Sequence, residues 1–214
     1  MDFFPPPRAR DEELAERPER VPWQDVPEAV LGGIVPLERI LVRNDHLVIA
    51  ATEAVAYQDG VELRLLLRAR RRPGMSRRQW VEISRGMWGD DVYSWDEDAE
   101  RTPGRYPDAL LRFGVRFADG TTATTVDADA EPEPGVWPPP RPDGPVLVLN
   151  DGGGSGAEDS IESERSLWLW PLPPEEAFEL AVEWPLLGVD LTFVPLDGAA
   201  IREASRRARP FWDD

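Results

Sequence analysis

The sequence predicts an all-β protein: an immunoglobulin-like antiparallel β-sandwich with one C-terminal α-helix and an irregular N-terminal tail. Three observations carry that prediction. Short apolar runs with a period of two recur along most of the chain, turn residues punctuate them, and a helical spacing of apolar residues stands out near the C-terminus alone. Strands that follow one another without intervening helices argue against a parallel α/β sheet.

Residues 1–36 combine Pro5-Pro6-Pro7 with the acidic run Asp11-Glu12-Glu13 and show no sustained period. This reads as a tail in which the prolines favour an extended spacer, while Phe3, Phe4 and Trp23 are the residues able to pin it to the domain at 37–214. Runs 37–42 and 47–57, separated by Asn44 and Asp45, read as strands. Gln58-Asp59-Gly60 then turns the chain into 61–69, where Leu63, Leu65 and Leu67 alternate with Glu62, Arg64 and Arg68, so that one face is buried and the other solvated.

Residues 70–108 break the pattern and read as a long insertion, with a short strand expected over 80–83. Its first half is basic, with Arg70, Arg71, Arg72, Arg77 and Arg78; its second is acidic, with Asp90, Asp91, Asp96, Glu97 and Asp98. Trp80, Trp88, Tyr93 and Trp95 are interleaved.

The clearest hairpin follows. Leu111, Phe113, Val115 and Phe117 share a face opposite Arg112 and Arg116, and Asp119-Gly120 turns the chain into the threonine-rich run 121–126. An acidic, proline-rich linker covers 127–144, a short apolar strand 146–149, and a glycine-rich, acidic, mobile loop 151–164. In the strand at 166–170, Leu167 and Leu169 face one way and Trp168 and Trp170 the other. Pro171, Pro173 and Pro174 then break the chain before Phe178, Leu180, Val182 and Trp184 resume the alternation. A last strand at 191–195 leads through Asp197, a plausible N-cap, into a helix at 198–209 whose arginines suit the negative end of its dipole.

Composition narrows the chemistry. The chain has 214 residues and a formal charge of -17, with 24 cations that are all arginine. Without lysine there is no phosphate-loop lysine, Schiff base or lysine general base. The absence of cysteine removes disulfides and thiolate chemistry. So negative a chain repels phosphate backbones, and nucleic acid is not an expected partner. The N-terminal stretch lacks a basic start leading to an apolar run, and no run reaches membrane-spanning length, so a cytoplasmic protein without membrane association is expected.

The run LLRFGVRFADGTTATTVD at 110–127, the glycine-rich loop after it, W-x-W-P-L-P-P at 168–174, Glu183-Trp184-Pro185 and the terminal LDGAAIREA helix together resemble a family of uncharacterised actinobacterial proteins. The resemblance covers roughly 37–212. It implies a bacterial, cytoplasmic origin and brings no activity, cofactor or catalytic residue with it. The insertion at 70–108 is longer than the resemblance leads one to expect.

No catalytic constellation emerges. His46 is the sole histidine and lies beside a turn, and Gly153-Gly154-Ser155-Gly156 is followed by Ala157, so it is no nucleophile elbow. The same glycines lead into Glu158, Asp159, Glu162 and Glu164, which would repel a phosphate. The expectation is therefore a non-enzymatic module without a cofactor that binds an unknown protein partner or itself. Trp168, Trp170, Arg71, Arg72, Arg77, Arg78 and Trp80 are the candidate contact residues. Two alternatives stand beside it: a carbohydrate-binding or glycoside-hydrolysing sandwich using exposed Trp168 and Trp170 with nearby carboxylates, and a calcium-dependent module at Asp90, Asp91, Asp96 and Asp98.

Overall fold

The computed structural model describes residues 20–88, 110–128 and 139–212. Two antiparallel sheets pack face to face. The larger has the order β2-β3-β4-β8-β7, formed by β2 (Gly33–Arg43), β3 (Leu47–Ala56), β4 (Val61–Arg70), β7 (Val146–Gly156) and β8 (Ser160–Trp170). The smaller, β10-β9-β5-β6, contains β5 (Arg112–Arg116), β6 (Thr122–Thr124), β9 (Phe178–Trp184) and β10 (Val189–Leu196). The chain is thus mostly β, with antiparallel sheets packed together, and it holds helices besides the expected C-terminal one.

Local chemistry explains the hairpins. Asn44 Oδ1 accepts the backbone N–H groups of His46 (3.0 Å) and Leu47 (2.8 Å), which reverses the chain between β2 and β3. Asp119 accepts from Thr121 N (2.8 Å), and Gly120 supplies the left-handed residue at φ 88° that the β5–β6 turn requires. Of the inward residues of β4, Val61, Leu63 and Ala69 stand opposite Leu169, Leu167 and Ile161 of β8, and Leu65 and Leu67 stand opposite Arg165 and Ser163. Phe113, Val115, Leu180 and Val182 close the main core from the smaller sheet.

The structure departs most from the reading of the sequence in three segments. The expected strand at 80–83 is one turn of a helix, α1 (Arg77–Trp88), which lays Trp80, Ile83 and Met87 on the main core. Its start is a capping box: Gln79 N donates to Ser76 Oγ (3.2 Å) and Ser76 N donates back to Gln79 Oε1 (3.0 Å). The glycine-rich run expected as a loop is the outer half of β7, hydrogen-bonded to β8. A Cβ on Gly154 would lie 2.5 Å from the Trp88 ring and 2.6 Å from Glu162 O, so glycine is what admits the tryptophan onto this edge.

The third difference is the N-terminal stretch. From Arg20 onward it forms a cover on the outer face of the larger sheet, and β1 (Val30–Leu31) pairs with β11 (Arg209–Pro210). Val55, Tyr57, Trp168 and Trp170 make a second small core there, closed by Trp23, Val26, Val30 and Val148. At the other end, Thr125–Ala128 forms the short helix α2, and α3 (Gly198–Ser205) is capped by Asp197, which accepts from Ala200 N at 3.0 Å. The terminal helix is shorter than the expected 198–209, because the chain leaves it to enter β11 before Pro210.

Candidate functional site

Where the connection from β8 to β9 crosses between the sheets, Trp170-Pro171-Leu172-Pro173-Pro174 forms a corner with a cis Trp170–Pro171 bond. Proline is found here because the segment leaves both ladders and its missing N–H costs nothing. The corner is anchored on two sides. Leu172 N donates to Asp59 O in the β3–β4 turn (3.0 Å), and Arg202 of α3 donates to Pro173 O (2.7 Å) and Leu172 O (3.3 Å).

Beside the corner lies an open groove of about 1170 Å³. Its apolar walls are Trp170, Leu172, Phe117 and the rings of Pro142, Pro145 and Pro174, and its polar groups are Asp119, Thr121, Arg141, Asp143 and Glu176. The hydrogen bonds from Thr121 hold the Asp119 carboxyl below its ordinary value, so it stays anionic. Asp143 and Glu176 are exposed and form no ion pair among the described residues. Arg141, the one cation among the described residues of the lining, is stacked on Trp170 with its guanidinium carbon 5.0 Å from the ring centroid.

The candidate residues read from the sequence fall in different places. Trp168 is fully buried; its indole N–H donates to Pro22 O (3.0 Å) and Tyr57 meets the ring edge-on at 5.8 Å, so it presents no surface to a ligand. Trp170 is 7 % exposed, with Trp23 edge-on at 6.0 Å and Arg141 over the ring, and it reaches the groove as a wall. Trp80 is a core residue. Arg71 donates to Met75 O (3.1 Å), Arg72 lies 3.7 Å from Asp45, and Arg78 pairs with Glu82 (3.1 Å) along α1, while Arg77 is exposed. Asp90, Asp91, Asp96 and Asp98 lie outside the described residues. Among the described residues no three metal-ligating side chains gather.

Two groups escaped the sequence. Arg165 points inward from β8, buried, and donates to Gly86 O (3.2 Å) and Met87 O (3.1 Å), which are last-turn carbonyls of α1. Burial lowers its pKa, opposed by Asp151 at 3.7 Å. Arg43, His46, Arg68 and Arg70 line a second cleft of about 620 Å³ at the opposite end of β4 from Val61. Arg68 there pairs with Glu162, and Arg70 donates to Asp45 O (2.7 Å).

Fold and groove define a β-sandwich with a proline-walled recess between its sheets. Comparison of the chain with protein-family profiles, curated proteins and solved structures gives no match. No helix among the described residues is long and apolar enough to cross a membrane.

Proposed function

We propose that this chain is a non-enzymatic protein-binding module that takes a segment of its partner into the groove beside the Trp170–Pro174 corner. The observation that carries this reading is the lining itself. It is aromatic and proline-rich, and its corner is pre-anchored by Asp59 and Arg202. Apolar walls of that kind gain affinity from a partner without first having to be ordered. An immunoglobulin-like relationship belongs to the same reading and is supported by the packed antiparallel sheets, although the consecutive β2-β3-β4 meander fits a plainer sandwich equally well.

The carbohydrate alternative fares less well. Sugars stack on the faces of indole rings, and Trp170 has Arg141 over its face and Trp23 against it, while Trp168 is enclosed. A photo-crosslinking amino acid placed at Thr121 or Pro174 on the groove should give discrete protein-sized adducts in lysate of the native host. The same group at Leu191, which is 55 % exposed on β10, should give none. Equal labelling at all three positions, or none at the groove, overturns the reading.

A further inference from the structure

We infer that the groove's occupant is a basic, proline-rich segment of a partner protein, bound as an extended polyproline-type helix; the inference rests on the groove being a protein-binding site. Shape and wall chemistry point to the conformation. The rings of Phe117, Pro142, Pro145 and Pro174 line an open trough, with Trp170 beneath Arg141 as part of its wall, and polyproline helices present ridges of rings that pack between such walls. A segment already extended loses little entropy on docking, which suits a recess whose corner is already hydrogen-bonded to Asp59 and Arg202. Strand addition is the competing mode for an extended peptide. It needs a row of free backbone groups, whereas the corner is made of prolines and Leu172 N and the carbonyls of Leu172 and Pro173 are already engaged.

Charge points to the sign of the peptide. Among the described residues Asp119, Asp143 and Glu176 stand around the groove against Arg141, and Arg141 is committed to the Trp170 ring. The whole chain carries -17. An arginine- or lysine-bearing peptide is steered in by that field and finds two exposed carboxylates without ion pairs among the described residues, Asp143 and Glu176, at the groove. An acidic peptide is repelled by the same groups.

Fluorescence anisotropy of the full-length chain with three labelled nonapeptides tests this: repeats of Arg-Pro-Pro, of Glu-Pro-Pro and of Arg-Gly-Gly. The Arg-Pro-Pro peptide should bind saturably and weaken with salt. The other two should bind about tenfold more weakly or not at all, and the double variant Asp143→Arg/Glu176→Arg, exposed at both sites, should lose about tenfold in affinity for Arg-Pro-Pro while its urea midpoint is unchanged. Equal binding of Arg-Gly-Gly would show a diffuse electrostatic attraction and overturn the polyproline assignment; equal binding of Glu-Pro-Pro would overturn the basic one. Deleting residues 1–19 tests the chain's own Pro5-Pro6-Pro7-Arg8 as occupant. A tenfold gain in peptide affinity on that deletion would overturn the assignment to a separate partner. If no peptide binds while groove-specific crosslinks persist, this inference fails and the protein-binding reading stands; if the crosslinks are also absent, both fail.

Discussion

Replacing Arg165 with alanine separates two roles that a buried arginine can have. Its side chain is 3 % exposed, yet the carboxylate nearest to it, Asp151, is 52 % exposed and 3.7 Å away. An ion pair so open to water contributes about 0–1 kcal/mol. The two bonds to Gly86 O and Met87 O are different, since they satisfy carbonyls at the end of α1 that have no partner within the helix. Leaving both unpaired costs about 1–3 kcal/mol each, and truncating the stem opens a cavity as well, while release of a buried guanidinium from its desolvation offsets part of the loss. The expected net loss for Arg165→Ala is about 3–5 kcal/mol by urea denaturation, with faster hydrogen exchange in the last turn of α1. Asp151→Asn should cost less than about 1 kcal/mol. A loss below that same 1 kcal/mol for Arg165→Ala, or equal losses for the two variants, would refute the view that the helix carbonyls are what Arg165 serves.

Other perturbations read other parts of the fold. Gly154→Ala forces a Cβ against the Trp88 ring and Glu162 O, and should cost about 1–3 kcal/mol, seen as a lowered urea midpoint; a neutral result would mean the Trp88 contact is dispensable. Trp168→Phe removes the bond to Pro22 O and part of the second core, for a loss of about 2 kcal/mol, and should expose the chain after Arg20 to trypsin; unchanged cleavage would argue against the cover. Burial first, and Arg72 second, hold the His46 imidazole below its ordinary 6.5 against a pull from Asp45. The unfolded chain therefore takes up the proton first as pH falls, so this contribution is whole above about 6.5 and declines as the pH drops through that value towards the lower folded one. His46→Gln should flatten that decline in urea midpoints; parallel profiles would refute it.

Side-chain period was readable wherever each residue's environment depends on its own strand. Leu63, Leu65 and Leu67 against Glu62, Arg64 and Arg68 announce β4, and Phe113 and Val115 announce β5. The glycines of β7 carry no period, so a strand looks like a loop until its partner β8 and the overlying Trp88 are in place. In α1 the sequence does hold a helix signal that the reading of a short strand passes over: Ser76 with Gln79 is a capping box, and Trp80, Ile83 and Met87 keep helical spacing. Arg165 occupies an inward position that alternation assigns to an apolar residue, and only the helix end above it explains the exception. The groove is likewise illegible locally, because its walls come from Phe117–Thr121, Arg141–Pro145 and Trp170–Glu176, which meet only when the two sheets pack.

The pairing of β4 with β8 has a consequence for how the chain reaches this state. The β2-β3-β4 meander and the β7–β8 hairpin each close over short turns, but joining them sets Val61 beside Leu169 and Arg70 beside Ser160. Everything from α1 to β7, including half of the smaller sheet, lies in the loop that this zipper closes. Loop closure of that length must be met before its contacts return any stabilisation, so the joining of the two subassemblies is the expected slow step of folding. Substitutions along the β4–β8 seam should therefore slow folding, whereas those in the N-terminal cover should chiefly speed unfolding.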